Sequence, residues 1–285
     1  MSSQPPVEFG SPDGTTPPPL VPIVTAKRDY GRSPKGGSGA HFIACDDEQE
    51  YVVKFRRDQG PRLLPNEFLG AALGRLMGCP IADAALVTFT KEFIEASPEI
   101  ARSGVPPGLY FGCRKLRDAM GFSQFANATL TLDSLTIENR SRFPHVVVFD
   151  NWTMNSDRHG ADNNLLVLVD KDRKVWRYYM IDQGHLFKDP QWTPDRLAAS
   201  KDERVLQNCH DFLVRSISGA TPFAEALKSL EGVGKPEIVR AVEEIPGNWD
   251  VDGPARKALV EVLSHRQPVV RSVIDSSRAR FAGWR

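Results

Sequence analysis

The chain has no surplus of charge of either sign: 36 Lys and Arg stand against 36 Asp and Glu in 285 residues. That balance argues against a nucleic-acid or anionic-membrane partner gathered by bulk electrostatics, because such partners select a basic excess. It leaves room for a local basic groove. Cysteine is scarce. Cys45, Cys79, Cys113 and Cys209 lie far apart, with no C-x-x-C pair and no His at ligand spacing, so neither a zinc site nor a disulfide framework is expected. They read as small apolar thiols of a reducing compartment. No run approaches the roughly 18 apolar residues that a bilayer-spanning helix needs. The segment from Met1 to Leu20 contains Pro5, Pro6, Pro12, Pro17, Pro18 and Pro19 and has no apolar h-region, so it does not read as a signal peptide. No internal repeat is found. A soluble, cytoplasmic protein is expected, of unknown oligomeric state. It is long enough to bury roughly three quarters of its unfolded surface without a staple.

The order of elements comes from periodicity. Residues 1–20 bury too little apolar surface to offset ordering and are expected to form a disordered Pro-rich tail. Ile23 to Ala26, His41 to Ala44 and Tyr51 to Phe55 are short β-like runs, the last two joined by the turn-prone Asp46-Asp47-Glu48 as an antiparallel hairpin. Glu67 to Met77 follows with an apolar face made by Phe68, Leu69, Ala72, Leu73 and Leu76. Pro65 marks the expected start of this helix and Gly78 its cap. Further β-like runs are Ala84 to Phe89 and Leu109 to Cys113. Pro144 to Asn155 is apolar on most sides and predicts a buried helix. A second hairpin is expected from Leu165 to Val169 and Val175 to Ile181. Beyond Pro194 the pattern is helical and amphipathic, with Pro222, Pro236, Pro246, Pro254 and Pro268 as breaks. A β-rich part with one helix, followed by a helix-rich part with one hairpin, predicts an α+β fold of two lobes rather than a doubly wound sheet.

Four segments carry unusual chemistry. Gly36-Gly37-Ser38-Gly39 would let backbone N–H groups approach a phosphate without obstruction by Cβ, although a glycine turn between strands is common. Lys54, at the end of a strand, either faces water or holds a phosphate against an acidic partner, for which Glu67 is the candidate. Glu67 also reads as a favourable acid near a helix N-terminus. The densest segment runs from Asn155 through Asp157, Arg158, His159, Asp162 and Asn163 to Asn164, between a buried helix and an apolar strand. Finally, Asp182-Gln183-Gly184-His185 ends a strand. His159 and His185 read as braces of their loops. Each segment alone is weak, but all of them in this order, each on a suitable element, agree with one another.

Asp157-Arg158-His159 followed by Asn164-Leu165-Leu166, and Ile181-Asp182-Gln183-Gly184-His185, resemble the catalytic and metal-binding loops of protein-kinase-like enzymes. With Gly36-Gly37-Ser38, Tyr51-Val52-Val53-Lys54-Phe55 and Asn66-Glu67, the resemblance is to the HipA-like kinase domain, from about Val21 to Phe187. It implies a bilobal protein-kinase-like fold, with a β-rich N-lobe over residues 21–113 and a mainly helical C-lobe over 114–285. It also implies ATP and Mg²⁺ as cofactors. Gly36 to Gly39 would cover the phosphates, and Lys54 would contact them while paired with Glu67. Asp157 would accept the proton of a substrate hydroxyl, and Asn164 and Asp182 would hold Mg²⁺. Backbone groups near Gly112 and Cys113 would meet the adenine. Two departures stand out. Five positions after Asp157, where kinases place the metal Asn, stands Asp162, with Asn163 and Asn164 six and seven positions on; Asn164 is favoured and Asp162 stays a candidate metal ligand. Gln183 stands where kinases often carry an aromatic residue. The acceptor implied is a protein Ser or Thr hydroxyl. The competing readings are a small-molecule or lipid-headgroup kinase of the same fold, and a nucleotide-binding pseudokinase serving as an interaction module.

Overall fold

The structure, a computed structural model, describes residues 17–33, 39–55, 60–122, 125, 136–158, 164–207, 209 and 211–285. The expectations for Gly36, Gly37, Ser38, His159, Asp162 and Asn163, and for most of the N-terminal tail, fall outside the described residues.

Five strands build the first half: β1 (Ile23–Arg32), β2 (His41–Cys45), β3 (Glu50–Lys54), β4 (Ala84–Phe89) and β5 (Gly108–Arg114). They close into a barrel in the order β1-β2-β3-β5-β4, antiparallel except where β1 meets β4 in parallel. The β2–β3 hairpin turns at Glu48, which takes a φ of 62°. Along β3 the side chains alternate, as the two-residue period of a strand demands. Tyr51 and Val53, with Phe55 just beyond, are buried in the hydrophobic core, so Lys54 is aimed to the opposite side.

That side is occupied by the helix α1 (Leu63–Leu76). It begins earlier than its apolar spacing indicates, because Pro65 sits inside its first turn. There the missing N–H is one that a helix leaves unbonded anyway. Glu67 is therefore a turn inside the helix rather than at its mouth, which removes the helix-terminus explanation for this acid. The far end closes as a Schellman motif: Cys79 N–H donates to Gly74 O at 2.8 Å and Gly78 N–H to Arg75 O at 3.0 Å, with Gly78 at φ 73°. Residues 63–74 are buried on every side, since α1 meets β5 on one flank and elements of the second half on the other.

Two short helices, α2 (Lys91–Glu95) and α3 (Pro98–Arg102), join β4 to β5. The second half contains a four-stranded sheet. Its strands β6 (Met120–Gly121), β7 (Thr136–Ile137), β8 (Leu165–Asp170) and β9 (Val175–Met180) lie in the order β6-β8-β9-β7. Beside it, α4 (Phe143–Trp152) carries Phe143, Val146, Val147, Val148, Phe149 and Trp152 into the core. Beyond come α5 (Pro194–Ser200), α6 (Asp211–Ser216), α7 (Ala224–Glu231), α8 (Lys235–Glu243) and α9 (Gly253–Ser276). The long α9 packs against α4, and Trp152 Nε1 donates to Leu263 O at 2.8 Å. Pro268, read from sequence as a break, lies inside α9: the buried Val269, Val270, Val273 and Ile274 hold the helix together past the missing N–H. All four cysteines are free thiols. Among the described residues, no helix is long and apolar enough to cross a membrane.

Candidate active site

Three charged groups from three elements meet at the end of β3. Lys54 Nζ, with 11% of its side chain exposed, donates to Glu67 Oε1 and lies 2.7 Å from Asp182 Oδ1. Glu67 is buried; Asp182 is about one-third exposed and faces the cleft. Burial opposes the ammonium, but the carboxylates of Asp182 and Glu67 outweigh it and hold Lys54 above its ordinary value. Burial likewise pushes Glu67 up, with Lys54 pulling the other way. Asp182 is buried enough to oppose its charge too, yet Lys54 beside it holds its carboxyl well below the usual range. The site therefore keeps one firm anion, Asp182, on one firm cation.

The segment bearing Asp182 is pinned on both sides. Gln183 N–H donates to Glu67 Oε2 at 2.9 Å. Asn66 Nδ2 donates to Gly184 O at 2.7 Å and to Leu186 O at 3.1 Å, while Trp192 Nε1 holds its Oδ1 at 2.8 Å. Asp182 itself adopts a φ of 53°. Asp and Asn tolerate this left-handed conformation better than most residues.

Asp157 stands where α4 has ended. Its N–H is taken by Asn155 Oδ1 at 3.1 Å, and its Oδ2 accepts from Asn164 Nδ2 at 2.9 Å. Asn164, at φ 66°, also bonds Asp157 O through Nδ2 at 3.0 Å, and its own carbonyl accepts from Ile181 N–H at 3.0 Å. The Asp157 loop, the start of β8 and the segment after β9 thus converge. Their cross-link is Arg158, fully buried. It pairs with Asp150 of α4 (Nε to Oδ2, 3.2 Å) and donates through Nη1 to Asn164 O at 2.8 Å and Ile181 O at 3.0 Å.

A cleft of about 370 Å³ opens onto this cluster, with Lys54 and Asp182 at its inner end. Phe42 and Val52 from the barrel and Leu166 and Ile181 from the second sheet form its apolar walls, and the chain from Cys113 to Ala119 its rim. Gly39 precedes Ala40, which lines the cleft with Ser33, and Ser33 N–H donates to Ala40 O at 2.8 Å. The structure places Gly112 and Cys113 within β5, where this rim begins. Gly112 pairs with Val53 on one side and Ala85 on the other, and a Cβ there would stand 2.8 Å from Val87 Cγ2, inside the barrel. Backbone groups of Gly112 and Cys113 belong to the sheet. The ladder runs on until Arg114 N–H reaches Asp83 O at 2.6 Å and Lys115 N–H reaches Glu50 O at 2.8 Å, and the chain leaves it only after Lys115. Cys113 presents its side chain to the cleft instead, and burial pushes its thiol up to about 12, so it lines the wall as a neutral group.

Lys54, Glu67 and Asp182 therefore form one ion cluster and Asp157 and Asn164 a hydrogen-bonded pair, and Arg158, Gln183 and the Ile181 backbone link the two. The supporting roles of Asn66, Asp150, Asn155 and Arg158 were not read from the sequence, although Asn66, Asn155 and Arg158 lie in its motifs. One signal did exist: an Asp inside the apolar run Val146 to Trp152 needs a buried cation, and Arg158 is the nearest downstream of it.

A strand lysine held by a helix carboxylate and an aspartate in an apolar cleft, with an Asp–Asn pair tied to the same segment, is the equipment of a kinase. The family model described as HipA-like kinase matches residues 30–266, and the chain belongs to that family. Among solved structures, the Helicobacter pylori proinflammatory kinase CtkA is similar in fold, with a TM-score of 0.59 at 15% identity, over 90% of this chain and 99% of that one. No curated protein matches.

Proposed function

We propose that this kinase is bilobal and transfers the γ-phosphate of ATP, with Mg²⁺, to a hydroxyl of a protein Ser or Thr in the reducing cytoplasm. Residues 21–113 form the N-lobe and 114–285 the C-lobe, with the cleft between them. The observation that carries the reading is the Lys54 ammonium, held by Glu67 and Asp182 at the inner end of an apolar cleft.

Phe42 and Val52 on one wall, with Leu166 and Ile181 on the other, suit a flat aromatic base, while the backbone after Lys115 offers the polar groups that orient it. Lys54 then neutralises phosphate oxygens, and Glu67 keeps it from swinging away. Among the described residues no three His, Cys, Asp or Glu side chains cluster as a metal site. Mg²⁺ needs no such cage, since one or two carboxylates plus phosphate oxygens and water satisfy it. Asp182 offers a carboxylate to the cleft, and Asn164 an amide oxygen that its bonds through Nδ2 leave unused. These hard oxygens fit the ion. When bound, it would neutralise charge on the transferring phosphate.

Asp157 orients the acceptor hydroxyl and takes its proton as the oxygen bonds to the γ-phosphorus; the bond from that phosphorus to the bridging oxygen breaks, and its electron pair leaves with ADP. Asn164 Nδ2, bonded to Asp157 Oδ2, keeps the other carboxylate oxygen turned outward. Catalysis here is positioning and charge neutralisation.

The test is incubation of the purified chain with radiolabelled ATP and Mg²⁺, alone and with a protein extract. Label on Ser or Thr is expected, and Asp157→Ala should lower it by at least about 100-fold, the contribution of a general base, with an unchanged melting temperature. Label confined to small molecules or lipids would overturn the protein acceptor. Near-normal transfer by Asp157→Ala would overturn its role.

A further inference from the structure

We propose that Gln183, which occupies the position often aromatic in kinases, is a positioning residue that acts through Arg158 on Asn164 and Asp182; the inference rests on the kinase reading above. Gln183 is 3% exposed and every polar atom of its side chain is used. Its Oε1 accepts from Arg158 Nη2 at 2.6 Å and lies 3.5 Å from Asn155 Nδ2, while its Nε2 donates to Ile181 O at 3.2 Å. Its N–H holds Glu67, the partner of Lys54. Gln183 joins the lysine clamp to the guanidinium that ties the two loops together.

The physical need is plain in the backbone. Asn164 and Asp182 both sit at positive φ, a strained choice for residues with a Cβ, which persists only where the surroundings impose it. Arg158 Nη1 imposes it by gripping the carbonyl of Asn164 and the carbonyl of Ile181, next to Asp182. A guanidinium is a rigid planar fork, so the direction of Nη1 follows from how its other nitrogens are held. Asp150 takes Nε at 3.2 Å and Nη2 at 3.3 Å from one side. Gln183 takes Nη2 from the other and stops the fork pivoting about Asp150. An aromatic ring here would have no acceptor to offer.

The neighbouring helix makes room for this arrangement. Gly70 lies in the middle of α1, where glycine is disfavoured, and a Cβ on it would stand 2.3 Å from Gln183 Cβ and 2.5 Å from its Cγ. That is closer than real atoms pack, so Gly70→Ala displaces Gln183.

The test uses the full chain and titrates Mg²⁺ against binding of a non-hydrolysable ATP analogue by calorimetry, with phosphoryl transfer measured in parallel. Gln183→Met keeps the volume and removes both polar ends. It should raise the Mg²⁺ requirement for analogue binding and lower kcat, each by about 10–100-fold, as loss of a group that orients ligands does, while KM for the acceptor stays put. Gly70→Ala should show the same signature, and Gln183→Glu, which keeps an oxygen facing Arg158, should need far less Mg²⁺ than the Met variant. An unchanged Mg²⁺ requirement in a folded Gln183→Met protein would overturn the proposal, as would equal defects in the Met and Glu variants. If Gln183→Met does not fold, the Glu variant and Gly70→Ala decide: a normal Mg²⁺ requirement in folded Gly70→Ala overturns it. A wild-type chain that binds the Mg²⁺-analogue pair without transferring phosphate defeats the kinase reading, and the titration still judges Gln183.

Discussion

Replacing Arg158 by Met should destabilise the protein far more than a surface arginine would, and in a pH-dependent way. The guanidinium is fully buried and its partner Asp150 nearly so. Removing one member of such a pair leaves the other charge uncompensated, at about 3–5 kcal/mol. The carbonyls of Asn164 and Ile181 and the amide oxygen of Gln183 also lose a donor, and even partial loss adds about 1 kcal/mol. A total near 5 kcal/mol rivals the whole margin of about 5–15 kcal/mol that holds a typical domain folded. Burial already raises the Asp150 carboxyl above its ordinary value of 3.8, with Arg158 resisting; without Arg158 it rises further. An acid whose folded value exceeds its unfolded one binds protons on folding, so its contribution is full below the unfolded value and lost as pH rises through the folded one. The defect of Arg158→Met should therefore be larger at pH 8 than at pH 5, with a slope of at most about 1.4 kcal/mol per pH unit. Asp150→Asn added to it removes the stranded charge and should recover about 2–3 kcal/mol and flatten that slope. Urea unfolding of wild type, single and double variants at both pH values measures all of this. Equal instability in the single and double variants, or a pH-independent loss, would refute the account of a charge stranded in the core.

Glu67→Gln tests the lysine clamp in the same manner. Burial pushes Glu67 from 4.5 up to about 7, so its contribution to stability fades as pH rises through that value; Asp182, held low by Lys54, contributes steadily above the acid range. Between pH 5 and 8 the wild type should lose up to about 3 kcal/mol more than Glu67→Gln in urea unfolding, and parallel curves would contradict the assignment. The rim gives a paired prediction. Gly112→Ala crowds Val87 and Tyr51 inside the barrel and should cost about 1–3 kcal/mol in stability with KM for ATP unchanged. Cys113→Phe narrows the cleft and should raise KM for ATP with little change in melting temperature; the opposite pattern would return the adenine contacts to Gly112.

Most of the strands and the main helices were legible because their signals are local. The two hairpins appear where apolar runs flank short charged turns, and α4 where apolar residues fill most faces. Boundaries slipped where a local rule has two solutions. Pro65 suits either the residue before a helix or its first turn, and only the packing of Leu63 and Leu64 into the core selects the second. Gly112 was placed near the adenine by the kinase resemblance, which carries no information on packing. In the barrel its lack of a side chain serves close approach to Val87.

The site divides along the same line. Lys54, Asp157, Asn164 and Asp182 could be singled out because each sits at an element boundary that a motif order can mark, and Glu67 because it is the acid of the helix that follows Lys54. Their supports could not, since Gln183 reaches Glu67 across 116 positions and Asn66 reaches Gly184 across 118. No periodicity encodes such pairs. What a sequence does expose is a polar residue placed where burial is expected: Asn66 and Glu67 in a helix with no solvent face, Asp150 and Asn151 within α4, Arg158 beside apolar walls. Each is intolerable alone in a core and acceptable only with a partner. Such residues in excess of those the chemistry consumes therefore imply a second, buried polar layer that holds the reacting groups in place, and in this chain that layer runs from Asn66 and Glu67 through Gln183 and Arg158 to Asp150.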